Sequence, residues 1–265
     1  MAEPTRIVLT LHPETGDQAW LRLATDLARL LDVGVHGLFI EDRGLLTFAS
    51  LPFAREIRLP TFEWHPISAE QMARDLRQAA ALMRRRLDEA ARRAGVPSSF
   101  ETLAAPDGLP PYQAGDIVIS AGPRAAVRHM TVAAPERCET GFTLLVPPQA
   151  PQRASGPFAV LADGGPALEM ACRLAVAAHE GVIVLGTGEA SLHAAAQQAA
   201  ALGIAPARIT RRLVAGTGQA ELRRALAGLR ERLVVMPPPE TPEDAWALAM
   251  ALHVPVLLVE QHCGL

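Results

Sequence analysis

The residues of this chain that could do chemistry at a useful spacing gather in short glycine-rich turns. Asp163-Gly164-Gly165 follows the apolar run from Phe158 to Ala162 and precedes an Ala-rich segment with helical character. A carboxylate ending a buried strand can accept from the base or ribose of a ligand; the same side chain can equally cap its own turn. Gly216-Thr217-Gly218 stands just before a second helical segment. Backbone N–H groups there can hold an anion, and an ordinary helix N-cap explains them as well. Asp163, Gly164, Gly165, Gly216 and Gly218 are therefore the candidate ligand-binding residues.

Other reactive side chains lack a working arrangement. His12 comes near Glu41 and Asp42 at two strand ends, yet the eight histidines show neither HxH nor HExxH spacing, so no metal site is expected. Ser120 and Ser155 lack the Gly-x-Ser-x-Gly elbow of a hydrolase. Cys172 falls in an apolar helical run and reads as a small core residue, whereas Cys138 and Cys263 lie in loops with nothing nearby to activate them. All 25 basic residues are Arg. Without lysine there is no P-loop lysine, Schiff base or lysine nucleophile. No catalytic residue is assigned, and a non-enzymatic protein is expected.

Composition limits the partners. The net charge of −3 exerts no general pull toward nucleic acid or an anionic membrane. The Arg84-Arg85-Arg86 and Arg92-Arg93 clusters sit beside Asp88 and Glu89 and read as a solvated helix face. Three cysteines without CxxC spacing fit a reducing compartment. With no apolar run near the ~18 residues of a membrane span and no signal-peptide pattern at the start, a cytoplasmic location is expected.

The elements that must position these residues alternate between short apolar runs and helical stripes. Arg6 to Leu11, Val35 to Ile40, Ser99 to Ala104, Asp116 to Ser120 and Thr143 to Val146 read as strands. Thr15 and Gln18 have capping-box spacing before a helix that Gly34 ends, and Ser68 and Gln71 repeat that spacing before a long helix stopped by Gly95 and Pro97. Met72, Leu76, Ala79, Met83, Leu87, Ala90 and Ala94 mark its buried side. Residues 41–67, broken by prolines but rich in Leu and Phe, suggest a short helix and loop over the sheet edge. One or two helical turns are expected within Arg124 to Met130. Prolines then define a linker over 148–157. After it the pattern restarts, with strands at 158–162, 182–185, 207–214, 233–236 and 254–259 and four intervening helices, the last capped by Thr241. The expected fold class is α/β: two tandem open parallel-sheet, Rossmann-like domains, at 1–147 and 158–265.

Matched segments support a repeat. Ile7-Val-Leu leads to Arg22-Leu-Ala, and Ala159-Val-Leu leads to Arg173-Leu-Ala at nearly the same spacing. Asp116-Ile-Val-Ile matches Arg232-Leu-Val-Val, and Leu144-Leu-Val-Pro matches Leu257-Leu-Val-Glu. Val160-Leu-Ala-Asp-Gly-Gly-Pro-Ala with Arg173-Leu-Ala, Val214-Ala-Gly-Thr-Gly, and Val254-Pro-Val-Leu-Leu-Val together resemble a tandem universal stress protein over essentially the whole chain. His36-Gly-Leu-Phe-Ile-Glu-Asp and Leu51-Pro-Phe-Ala-Arg-Glu-Ile are similar to variants with a longer second crossover.

The resemblance implies an adenine-nucleotide α-hydrolase-type fold and a stress-response or regulatory setting. It also implies that the two halves pair within the chain, with a homodimer left open. Nucleotide-binding relatives are similar in carrying an Asp after the first strand and a Gly-x-x-Gly phosphate loop, then Gly-Ser or Gly-Thr, after the fourth. Here Asp163 holds the first position, but the fourth strand of the second half runs into Met236-Pro237-Pro238-Pro239, and proline has no N–H to donate. In the first half His12 and Pro13 replace the Asp, and Gly122 is followed by Pro123. Gly141 is the only later glycine there, without a Ser or Thr behind it. The expectation is a universal-stress-protein-like module that lacks the usual ATP phosphate loop and works through protein contacts or a remodelled small-molecule pocket. No cofactor is expected. ATP or another adenine nucleotide, held from the Asp163 side, is the alternative.

Overall fold

In the computed structural model, residues 3–11, 18–58, 60, 62–105, 112–120, 141–147, 153–162, 165–239 and 242–260 are described. The strands are β1 (Arg6–Leu11), β2 (Gly34–Asp42), β3 (Arg55–Arg58), β4 (Glu63–Pro66), β5 (Ser98–Ala105), β6 (Asp116–Ser120), β7 (Phe142–Leu145), β8 (Phe158–Leu161), β9 (Val182–Gly186), β10 (Ile209–Leu213), β11 (Leu233–Met236) and β12 (Val256–Val259). The helices are α1 (Gln18–Leu31), α2 (Arg43–Ala49), α3 (Ala69–Ala94), α4 (Pro166–Ala178), α5 (Glu189–Ala201), α6 (Gln219–Leu226) and α7 (Pro242–Leu252).

Ten strands form one sheet in the order β10-β9-β8-β11-β12-β7-β6-β1-β2-β5, while β3 and β4 form a separate hairpin. Every pairing in the large sheet is parallel except β7 with β12. Counted within each half, and leaving the hairpin aside, both sets of five strands follow the order 3-2-1-4-5 outward-to-seam. The α/β class with parallel strands expected from the sequence is observed, whereas the two open sheets expected at 1–147 and 158–265 are joined edge to edge in one.

The apolar runs explain the central strands. Every residue of β8, β9 and β11 is buried, as strands covered on both faces require. One face carries Ile7, Leu9, Phe39, Ile117, Phe142 and Leu144 together with Phe158, Val160 and Val184, under α1, α3, α4 and α5, in a single core that crosses the midline. A second core on the other face joins Leu145 to Ala159, Leu161, Val234 and Val256 beneath α6 and α7.

Where α3 crosses β2 the Leu87 side chain fills the space over Gly37: a Cβ placed there would lie 2.6 Å from Leu87 Cδ2. Ser68 Oγ accepts from Gln71 N at 3.3 Å, and Gly95 closes the helix at φ +72°. The Gln71 side chain does not complete a capping box; its Nε2 donates to Asp75 Oδ1 at 2.7 Å. The buried stripe is Leu76, Ala80, Met83, Leu87 and Ala91, so Ala79 and Ala90 only flank the core.

Three local expectations change. Asp32, not Gly34, ends α1 in the left-handed conformation at φ +57°, a geometry that a short Asp side chain tolerates; Gly34 already belongs to β2. The edge strand β10 begins at Ile209, because Pro206–Arg208 forms a 3₁₀ turn. Residues 41–67 contain α2 as expected, but also the β3–β4 hairpin, whose alternation is hidden by Pro60 between its four-residue strands and Pro66 at the end of β4. The Thr15 and Thr241 caps and the helical turns at 124–130 lie outside the described residues.

The seam pairs Val256 with Leu145, Leu257 with Leu144, Leu258 with Thr143 and Val259 with Phe142. Leu144 and Leu257, matched by their sequence context, are thus directly opposed, and both are fully buried. Gly141, at φ +82°, continues the ladder by accepting from Glu260 N at 2.9 Å. Behind the seam α1 contacts α4, and Arg173 Nη2 reaches the Leu31 carbonyl at 3.3 Å. Residues 153–157 are also tied down: Arg153 Nη1 donates to the Glu231 carbonyl and Gly156 N to Glu180 Oε1.

Each of Leu144→Ala and Leu257→Ala is expected to cost about 2–5 kcal/mol. Because the two side chains share one cavity, the double variant should depart from additivity by about 0.5–3 kcal/mol. Urea unfolding of the four proteins measures this, and strict additivity would mean that the two residues do not support one another.

Candidate functional site

In an open parallel sheet, ligands settle beyond the carboxyl ends of the strands where the strand order reverses. Two such points exist, between β1 and β6 and between β8 and β11. At the first, Thr10 Oγ1 and Tyr112 Oη lie 3.3 Å apart. The residues singled out nearby, His12, Gly122 and Pro123, lie outside the described residues, as do Cys138 and Cys263.

At the second point Asp163 and Gly164 also lie outside the described residues. Gly165 is the N-cap of α4, with φ 74° and ψ −154°. That backbone geometry is open essentially to glycine alone, so the turn itself demands this residue, and Pro166 follows at the first helical position. No side chain caps α4, α5 or α6, whose N-cap residues are Gly165, Gly188 and Gly218. By contrast, Ser68 caps α3.

The turn at Gly216 and Gly218 has an occupant that the candidate list missed. Glu221 folds back over it: a Cβ built on Gly218 would meet Glu221 Oε2 at 2.8 Å, and one on Gly216 would meet Glu221 Cγ at 3.7 Å. Glu221 is the third residue of α6, the position from which an acidic side chain reaches back toward the N-cap. Its negative charge complements the positive end of the helix and stands where an anion would approach. The Gly218-x-x-Glu221 spacing was present in the sequence. Across the sheet, β11 leads into Pro237, Pro238 and Pro239, three consecutive residues without an N–H.

The most strongly buried charges lie elsewhere, near the amino ends of the strands. Asp116 is fully buried and receives Arg6 through Nε at 2.8 Å and Nη2 at 2.9 Å, besides Gln113 N at 2.8 Å and Thr5 Oγ1 at 3.3 Å. This hydrogen-bonded pair raises the Arg6 pKa above its ordinary value and joins β1 to β6, where the two residues are register partners. His36 Nδ1 meets Ser99 Oγ at 2.8 Å; burial, with Arg6 nearby, lowers its pKa and keeps the imidazole neutral.

Next to β11, Glu231 is only 3% exposed, its Oε2 has no hydrogen bond, and Arg153 Nη1 stands 3.9 Å away. Burial pushes its pKa up. Arg232 lies over the Phe158 ring at 6.0 Å and 3.8 Å from Asp26 on α1. Cys172 is in the core; burial, with Glu169 adding, pushes its thiol up to about 11, which leaves it a packing residue. Among the described residues no three His, Cys, Asp or Glu side chains converge as a metal site would need. In the same set no helix is long and apolar enough to cross a membrane.

No family model matches the chain, and no curated protein matches it in sequence. Solved structures do match in fold. A protein of Pseudomonas aeruginosa UCBPP-PA14, provisionally named a universal stress protein, superposes with a TM-score of 0.50 at 13% identity, over 97% of this chain and 93% of that one. The fold is universal-stress-protein-like. The cytoplasmic domain of a prokaryotic cation chloride cotransporter superposes with a TM-score of 0.52 at 12% identity, covering 97% of this chain and 96% of that domain. A functionally unknown protein of Pseudomonas aeruginosa PAO1 gives a TM-score of 0.49 at 12% identity, over 97% and 92% of the two chains.

Because the folded-state pKa of Glu231 is raised, its protonated form favours folding. That contribution is complete at acid pH, below the unfolded pKa, and is lost as pH rises through the folded one. Glu231→Gln should therefore stabilise the protein at pH 7, by about 1–3 kcal/mol for relieving a poorly satisfied buried charge, with a smaller gain near pH 4. Urea midpoints at the two pH values measure it. Destabilisation at pH 7 would mean that attraction to Arg153 outweighs the loss of hydration.

Proposed function

We propose that this chain is a universal-stress-protein-like stress-response or regulatory module that catalyses no reaction and has given up the phosphate grip of nucleotide-binding relatives. One observation carries the reading: the Glu221 carboxylate lies over the glycine turn of α6. A triphosphate at that turn would meet the Glu221 negative charge. The turn after β11, Pro237-Pro238-Pro239, has no N–H to offer. The fold likeness to a protein named as a universal stress protein supports the setting. It carries no substrate or partner with it.

We further read the two halves as diverged copies. The repeated strand order and the opposition of Leu144 to Leu257 at the seam favour this. An interface at which equivalent residues meet is self-complementary, as a twofold requires. The β7–β12 seam then supplies within one chain the contact that separate copies would make between chains. The cytoplasm suits such a module, given three cysteines without CxxC spacing.

The second reading is a nucleotide binder that works from the Asp163 side. The N-terminus of α4, capped by no side chain at Gly165, favours it.

Calorimetry on nucleotide-stripped protein separates the two readings. With ATP, ADP, AMP and cyclic dinucleotides, the leading reading expects no binding tighter than about 1 mM, and the same result for Asp163→Ala. Micromolar binding that Asp163→Ala abolishes would replace it with the second reading.

A further inference from the structure

The chain is poor in aromatic residues: seven Phe, three Trp and one Tyr. Four of them, Phe48, Phe53, Phe62 and Trp64, are 47%, 73%, 70% and 61% exposed within one stretch of chain, and Ile57 is 49% exposed. Phe48 is on α2, Phe53 on the loop into β3, Phe62 in the hairpin turn and Trp64 on β4. On the hairpin Ile57 and Trp64 are register partners and share a face with Arg55. Between hairpin and helix an open groove of about 480 Å³ is lined by Phe48, Phe53, Ala54, Arg55 and Trp64.

This surface is unusual in two physical respects. At 150–250 Å² per aromatic side chain, the exposed portions of Phe48, Phe53 and Trp64 around the groove amount to roughly 350 Å², already the few hundred Å² that a contiguous apolar patch on a soluble monomer rarely exceeds. The hairpin is also a two-stranded sheet, whose strands pair only with each other among the described residues. An isolated pair of strands is marginal in water and gains from a third and fourth.

We propose that the α2–hairpin face is the contact by which two copies of this chain form a twofold homodimer. Area favours a second copy: the rings, Ile57 and a polar rim approach the ~800 Å² per partner of a stable interface. Charge favours it too, because the hairpin strands carry both signs, with Arg55 and Glu56 on one and Glu63 on the other. A strongly acidic or basic partner would find no complementary field, whereas a twofold copy meets balanced charge. Rings from each copy enter the groove of the other, and the open edges of the two hairpins come together. Nucleotide binding is not involved, so the inference stands apart from the reading of the glycine turns.

Sedimentation equilibrium of the full chain across micromolar concentrations tests it. The expected mass is twice the 28.2 kDa of the monomer. Phe53→Asp with Trp64→Asp should weaken dimerisation roughly 30-fold or more, the effect of removing central aromatic anchors. Both side chains are largely exposed, so far-UV dichroism and the melting transition at low concentration should not change. Leu213→Asp, at an exposed position on the distant edge strand β10, should leave the dimer intact. Hydrogen exchange of residues 53–66 should slow as protein concentration rises. A wild-type monomer at all concentrations, or a dimer indifferent to the paired substitutions, overturns the proposal. So does a wild-type monomer that binds anionic phospholipid vesicles only while Phe53 and Trp64 are present, since the patch would then face a membrane.

Discussion

One antiparallel pairing holds this architecture together. If β7 and β12 were separated, two five-stranded sheets would each present a largely buried, mostly apolar strand to water, with Thr143 the one polar residue in the pair. An exposed edge of that kind has unmatched backbone donors and acceptors along an apolar ladder, which is an invitation to aggregation. Joining the two edges removes both at once and leaves β10 and β5 as the outer strands. These are more polar: Arg211 and Arg212 are exposed on one, Ser99, Glu101 and Thr102 on the other. The core follows the same logic, since one cluster runs unbroken beneath α1, α3, α4 and α5 on both sides of the seam.

The two ends of the sheet are built differently. Near the amino ends, buried charge is fixed by close partners, most completely where Asp116 accepts Arg6 through two nitrogens. Glu231 is the exception: it keeps its carboxylate under the surface with one oxygen unmatched. At the carboxyl ends the polypeptide turns on glycine and proline, which shape the backbone without contributing side-chain chemistry. Gly165 is required by its own dihedral angles. At Gly218 the carboxylate of Glu221, from the same helix, lies close over the turn. A negative charge already at a helix N-terminus lowers its attraction for a charged ligand.

Much of this was legible in the residues. The alternation of short apolar runs with helical stripes identified the α/β class and most of the strands, because parallel strands covered on both faces read as unbroken Val, Ile and Leu. Proline after β11 ruled out amide donors there in any conformation. Ser68 and Gly95 marked the ends of α3 through local backbone chemistry. The hairpin was not legible, since its strands are four residues long, carry Pro60 between them and Pro66 at the end of β4, and bury no apolar side chain. Nor was the exact buried stripe of α3, where Ala80 and Ala91 replaced Ala79 and Ala90 once the helix settled against β2.

What the sequence determined alone was whatever depends on near neighbours: periodicity, capping spacing and missing amide hydrogens. Only the tertiary structure decided which distant segments meet. It set Leu144 against Leu257, laid an acidic side chain over a glycine turn, and left four aromatic rings in water. Such outcomes turn on packing between elements far apart in the chain, and a one-dimensional pattern carries no distance between them.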